Sequence, residues 1–246
     1  MNLAVIGSGG REHAICYKLK QSSKVKNLIC IPGNAGTQSI AKNINEDILN
    51  FKAIYKIILK ENIDLVIIGP EQPLVEGVVD YLIKKKVRVF GPSKYASQLE
   101  GSKGFMKNLC KNNKIPTASF GIFNSFNKAS KFIKKNKLPL VVKADGLASG
   151  KGVSICSSIE EALNKTKEIL DGKFKSSKQV VIEEFLQGEE LSYFIIVDEN
   201  SYKFFGAAQD HKKVNEGDSG PNTGGMGAYS PTLILNNRLE KKIKKK

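Results

Sequence analysis

The stretch IGSGGREHA, Ile6 to Ala14, follows a short apolar run (Leu3, Ala4, Val5, Ile6) and leads into a helical pattern. An apolar strand, a glycine turn and a helix start, in that order, open an α/β unit whose first turn either meets a ligand or only redirects the chain. Backbone N–H groups at a helix start carry partial positive charge, so a phosphate fits there. A dinucleotide fits poorly. Its fingerprint, G-x-G-x-x-G, requires a third glycine where Glu12 stands, and an acid about 20 positions on to hold the ribose. The second apolar strand runs instead into Pro32, Gly33 and Asn34. NAD is therefore not expected, while a small anion and a ligand-free glycine turn both agree with the stretch.

Outward from this turn the chain alternates LAVIG, a helix from about Glu12, LICIP, a helix over Phe51 to Lys60, LVIIGP, a helix from about Val75, and VRVFGP. The alternation predicts a parallel sheet with crossover helices. Three loops after strands carry glycine and proline: Pro32 to Gly36, Gly69 to Glu71, and Gly91 to Ser93. Such loops gather at the carboxyl edge of an open α/β sheet, where ligands bind. Gly7, Gly9 and Gly10 share that edge. After IPTASF the order becomes strand, helix (Lys128 to Asn136), strand (Leu140 to Ala144), glycine-rich loop, strand (Val153 to Cys156), helix (Ile159 to Leu170) and strand (Gln179 to Phe185). This is a compact α+β unit. LSYFIIVD and YKFFGAAQ then predict an antiparallel pair opening a third region.

Composition narrows the function classes. The 246 residues include 39 basic and 24 acidic ones, a net charge of +15. Only Arg11, Arg88 and Arg238 are arginines, the side chain best suited to bidentate phosphate and base contacts, which argues against a dedicated nucleic-acid binder. Cys16, Cys30, Cys110 and Cys156 are widely spaced within apolar patterns, which predicts reduced, mostly buried thiols rather than a redox pair or zinc site. No apolar run approaches the ~20 residues that span a bilayer, so a cytoplasmic protein without membrane partners is expected.

Three stretches carry chemistry. In VVKADGLASGKGV, Val141 to Val153, Lys143 ends an apolar strand, Gly146, Gly150 and Gly152 follow, and Lys151 lies within the loop. Glycines let backbone N–H groups approach a polyphosphate while ammonium groups neutralise it. A hairpin with two solvated lysines fits the same letters, and Gly152 stands where a Walker motif needs Ser or Thr. In VVIEEFLQGEE, Val180 to Glu190, a strand leading into Glu183, Glu184, Phe185 and Leu186 can offer backbone groups and apolar walls to an adenine, and Glu190 can accept from ribose hydroxyls. A strand end with exposed acids is the plainer account. Gln209 to Pro231 is dense in Gly, Asn, Asp and Ser, and reads as a long polar substrate loop. His211, beside Asp210 and Lys212, has no nucleophile elbow to serve.

IGSGGREHA, PGNAGT, GPEQPLVEGVVD, QLEGSKGF, KIPTASF, VVKADGLASGKGV, VIEEFLQGEE and QDHKKVNEGDSGPNTGGMGAYSP together resemble the phosphoribosylamine-glycine ligase (glycinamide ribonucleotide synthetase) family of ATP-grasp enzymes, from Met1 to about Pro231. The resemblance implies an α/β chain: an N-terminal parallel-sheet, Rossmann-like (pre-ATP-grasp) domain over 1–103, then an incomplete ATP-grasp α+β domain over 104–246 with a lid at about 116–185. It further implies that Lys103 and Lys143 contact ATP phosphates and that the loop from Gly146 to Gly152 closes over them. Glu183, Glu184 and Leu186 match the adenine hinge, and Glu190 the ribose acceptor. Gly9, Gly10, Arg11, Asn34 and Glu71 would face phosphoribosylamine, and Asp218, Asn222 and Thr223 belong to the substrate loop.

The reaction implied is ATP-driven ligation of glycine to 5-phosphoribosylamine through glycyl phosphate, in de novo purine biosynthesis. The family's catalytic domain ends in a strand whose Glu and Asn bind two magnesium or manganese ions, followed by a small C-terminal domain; neither is found in this sequence. No metal ligand is therefore assigned, and a monomer complemented by a C-terminal fragment is expected. The alternative is a nucleotide-binding remnant without turnover.

Overall fold

The computed structural model describes residues 1–148, 152–174, 177–217 and 219–245, leaving aside the side chains of 221 and 222. The chain divides into two compact units, Met1–Met106 and Lys107–Lys246.

The first unit runs β1 (Asn2–Gly7), α1 (Gly10–Lys20), β2 (Asn27–Pro32), α2 (Ala35–Gln38), β3 (Lys42–Asn43), α3 (Phe51–Lys60), β4 (Leu65–Ile68), α4 (Glu71–Glu76), α5 (Val78–Lys84), β5 (Val89–Phe90), α6 (Gln98–Gly101) and the start of α7 (Lys103–Asn112). The five strands form one parallel sheet in the order β3-β2-β1-β4-β5. Side chains alternate across a strand, so an interior strand covered on both faces must be apolar at every position. LAVI satisfies this. Ala4 and Ile6 join Ile54 and Ile58 of α3 and Val78, Val79 and Leu82 of α5, while Leu3 and Val5 join Cys16 of α1. The helix expected from Val75 is two helices. Gly77 has φ +96°, a left-handed conformation that ends α4 and starts α5.

The second unit continues with β6 (Phe120–Phe123), α8 (Phe126–Lys135), β7 (Leu140–Ala144), β8 (Val153–Cys156), α9 (Ile159–Leu170), β9 (Val180–Glu184), β10 (Ser192–Val197), β11 (Tyr202–Asn215), β12 (Ser219–Tyr229) and α10 (Asn237–Lys244). β6, β9, β7 and β8 form an antiparallel sheet in that order. One face packs on α8 and α9: Leu140, Val142, Ala144, Val180 and Ile182 meet Ala129, Ile133, Ala162 and Ile169. By alternation the other face carries Val141, Lys143, Val181 and Glu183.

β10, β11 and β12 form a separate three-stranded sheet. The polar loop expected over Gln209 to Pro231 is instead mostly a hairpin: β11 pairs with β12 from Gln209↔Tyr229 to Asn215↔Ser219, with register shifts on both sides of Lys213. Glycine-rich letters with an irregular ladder hide the period of two that marks a strand. Phe194, Ile195, Ile196 and Val197 of the edge strand β10 are all exposed, so both of its faces are apolar and open.

Candidate functional site

In the first unit the loops after β1, β2 and β4 meet around Glu12. Its carboxylate folds back to accept the Gly9 N–H at 2.6 Å through Oε2, and Oε1 accepts from Arg11 Nε at 2.9 Å. Arg11 Nη1 reaches Glu71 Oε1, also at 2.9 Å. Asn34 Nδ2 donates to the Ser8 carbonyl at 2.9 Å, while its Oδ1 caps α2 by accepting the Thr37 N–H at 2.9 Å. Gly9, Arg11, Asn34 and Glu71 are thus brought together, with Gly10 opening α1 beside them. Glu12 is 2% exposed, and only hydrogen fits beside it. A Cβ on Gly69 would lie 2.6 Å from Glu12 Cγ, and one on Gly7, 2.6 Å from the same atom.

The electrostatics of this edge follow directly. An internal carboxylate occupies the start of α1, where partial positive charge favours an anion. The bond from Arg11 holds the Glu71 carboxyl below the usual carboxylate range. Reading Glu12 as the missing third glycine identifies the position but misses its role as a built-in anion.

In the second unit the sheet face turned away from α8 and α9 carries the charge. Glu183, 4% exposed, lies between two lysines: Oε1 meets Lys143 and Oε2 meets Lys107. The register puts Val141 opposite Glu183 and Lys143 opposite Val181, so the two charged residues are diagonal neighbours on one face. Val153 and Ile155 of β8 pair with Lys143 and Val141 and are exposed, giving this face apolar ground beside the ammonium. Glu184 turns the other way and is fixed at the sheet edge. Its N–H donates to the Ser119 carbonyl at 3.0 Å, and its Oε1 accepts the Ser119 N–H at 2.8 Å. Phe185 and Leu186, just past the strand, are exposed.

Further along, Glu190 and Lys212 pair at 2.7 Å, with Asp210 at 3.6 Å from the same ammonium. The bond to Glu190 holds the Lys212 ammonium above the usual lysine range. These residues line a polar cavity of about 270 Å³ with Gly188, Gln209 and His211. The His211 ring lies nearly parallel to that of Tyr229, 6.0 Å away. Thr223 Oγ1 donates to the Lys212 carbonyl at 2.9 Å and accepts the Gly225 N–H at 3.0 Å, bracing the hairpin.

The other expected residues lie on several elements of the two units. Lys103 opens α7, at the end of the first unit. Gly146 follows β7 with φ +87°, and Gly152, buried, precedes β8 with its carbonyl accepting the Ala144 N–H at 2.7 Å. Gly150, Lys151 and Asp218 lie outside the described residues, as does the side chain of Asn222. Sequence reasoning missed Lys107, whose one signal is a position three residues after buried Gly104 on a helix.

The class is set by residues 101–246, which match an ATP-grasp (A) domain, and the fold recurs in solved structures. The biotin carboxylase domain of Hydrogenobacter thermophilus 2-oxoglutarate carboxylase, solved with MgADP, shares it with a TM-score of 0.76 over 98% of this chain and 56% of its own, at 16% identity, a likeness of fold alone. Within that class the chain belongs to the phosphoribosylglycinamide synthetase family: residues 1–100 match its N domain and 101–246 its ATP-grasp (A) domain. The phosphoribosylamine–glycine ligase of Brucella melitensis is 47% identical over 96% of this chain and 55% of its own length. The chloroplastic one of Arabidopsis thaliana is 47% identical over 94% and 44%. The crystal structure of the Thermotoga maritima ligase gives a TM-score of 0.85 at 34% identity, over all of this chain and 59% of that one. The chain spans about half the length of the curated relatives it matches.

Proposed function

We propose that this chain supplies the amino-terminal and nucleotide-holding part of a ligase that joins glycine to 5-phosphoribosylamine at the expense of ATP, giving glycinamide ribonucleotide, ADP and phosphate, a step of purine biosynthesis. The observation that carries the reading is Lys143, an ammonium that solvent reaches beside the exposed Val153 and Ile155 and whose carboxylate partner is itself buried. Such an ammonium can neutralise a phosphate beside a surface that accepts a base.

In this reading Lys143 and Lys103 hold the phosphates under the loop from Gly146 to Gly152, and Phe185 and Leu186 flank the adenine. The Glu184 N–H is already bonded, which leaves the hinge donors to the residues after it. Glu190, steadied by Lys212, accepts from the ribose. Arg11, Asn34 and Glu71, with the Gly9–Gly10 turn, are assigned to the phosphoribosylamine, and Asp218, Asn222 and Thr223 to substrate binding. A glycine carboxylate oxygen attacks the γ-phosphorus as the bond to ADP breaks. The ribosylamine nitrogen then attacks the acyl carbon, phosphate leaves and the nitrogen loses a proton. The protein's contribution is positioning, charge neutralisation and exclusion of water from the acyl phosphate.

The family implies magnesium or manganese. Among the described residues no three His, Cys, Asp or Glu side chains group as ligands, and Glu183 and Glu190 already hold lysines. These residues do not fit a metal site, and no step is assigned to one.

The test measures glycinamide ribonucleotide formed from ATP, glycine and phosphoribosylamine by the chain alone, and by the chain mixed with a polypeptide matching the remaining length of a relative. Turnover only in the mixture is expected. ADP binding without turnover in either case would leave a nucleotide-binding remnant, and absence of ADP binding would remove the nucleotide reading altogether.

A further inference from the structure

Lys107 has no part in the reaction as described, yet its charge is held almost wholly out of water. Only 4% of the residue is exposed. Its ammonium meets Glu183 Oε2, donates to Thr117 Oγ1 at 2.8 Å and lies 5.6 Å from the centre of the Phe120 ring. The other carboxylate oxygen, Oε1, meets Lys143, whose side chain keeps 25% of its exposure. Two ammonium groups therefore share one carboxylate, one from the interior and one from the side that solvent reaches.

The arithmetic of these three charges has a chemical result. Lys107, Glu183 and Lys143 sum to +1. If Glu183 faced Lys143 alone, the pair would be neutral, and an arriving anion would have to compete with a buried carboxylate for the Lys143 ammonium. A carboxylate in a poorly solvated setting holds its counter-ion strongly, because water offers little in exchange. With Lys107 on the inner oxygen, that demand is met from behind. The surplus positive charge then resides on the one member that solvent reaches.

We infer that Lys107 is a positioning residue for anion binding: by compensating Glu183 from the interior, it leaves Lys143 able to share its ammonium with a phosphate. Lys107 itself touches no substrate. The inference rests on the reading of Lys143 as the nucleotide-phosphate lysine, and the test separates the two.

Binding of ADP and of pyrophosphate to the full chain is measured by calorimetry for wild type, Lys107→Met, Glu183→Gln and the double variant. In parallel, the initial rate of Lys143 reductive methylation is read by peptide mass spectrometry, which needs no nucleotide. Lys107→Met is expected to weaken both ligands at least fivefold and to slow Lys143 methylation at least threefold, since Glu183 then has Lys143 as its sole counter-ion. The double variant restores the +1 sum and is expected to bind pyrophosphate at least threefold more tightly than Lys107→Met, with Lys143 methylated at least as fast as in wild type. If Lys107→Met alone does not fold, the double variant against wild type and Glu183→Gln carries the test. Unchanged binding and methylation in Lys107→Met, or a double variant that binds pyrophosphate no more tightly than Lys107→Met, overturns the inference. A wild-type chain that binds no ADP, but shows the expected methylation pattern, removes the nucleotide reading and upholds the charge sharing.

Discussion

The two units handle charge in opposite ways. At the strand ends of the first, one guanidinium faces two carboxylates, Glu12 and Glu71, and the start of α1 is filled by the protein's own anion. On the sheet face of the second, two ammonium groups face one carboxylate. The first arrangement relies on glycine turns and backbone N–H groups, which a parallel sheet collects at one edge; the second relies on alternation along antiparallel strands, which lines up Lys143 and Glu183 on one face. A site built from loops can afford exposed, weakly coupled ions, whereas one built into a sheet commits its ions to the interior.

The largest expected effect tests that contrast. Glu183→Ala strands a buried lysine and should cost about 3–5 kcal/mol of stability, while Glu71→Ala, at a half-exposed pair, should cost under about 1 kcal/mol. Urea melts of the two variants measure the difference, and equal losses would erase the distinction. Next comes the packing around Glu12. Gly69→Ala drives a methyl to 2.6 Å from Glu12 Cγ and should cost about 1–3 kcal/mol, as overpacking does. Glu12→Ala removes the clash, so the double variant should be no less stable than Glu12→Ala alone.

Thiol reactivity sharpens the comparison without a stability change. Cys16 and Cys30 of the first unit are buried, as is Cys156, whose thiol burial pushes up to about 11, whereas Cys110 is partly exposed. A maleimide at neutral pH should therefore label Cys110 first among the four, at least tenfold faster on the order expected for a buried against an accessible thiol, as read by peptide mapping. The smallest effect is a pH slope. Because Arg11 lowers the Glu71 carboxyl in the folded chain, the pair stabilises above the ordinary glutamate value of about 4.3. That contribution is lost as the pH falls through the lowered folded value, and Glu71→Gln should flatten the acid limb of the stability curve by under about 1 kcal/mol.

Much of the fold was legible because burial leaves a periodic trace. The strands Leu140 to Ala144 and Val153 to Cys156 and the helix Ile159 to Leu170 are read at their observed bounds; in the structure Ser158 caps that helix, its Oγ accepting the Glu161 N–H at 3.1 Å. β3, two residues long, has no period to show, and glycines conceal β12. The candidate site was legible where glycines cluster, since such loops rarely serve a core. It was illegible where a charged residue plays an interior role: Lys107 on a lysine-bearing helix looks solvated, Glu12 looks like a lost glycine, and Glu183 looks like an acid at a strand end. Pairing across the chain, rather than local composition, decides all three.

The strand Phe194 to Val197 is greasy above and below and, among the described strands, pairs only with β11. A ribbon of that kind is adhesive toward its own copies, since two of them can zip edge to edge and hide their side chains at once. Such an edge favours self-association as concentration rises, and Ile195→Lys or Val197→Lys should reduce it, as light scattering would show.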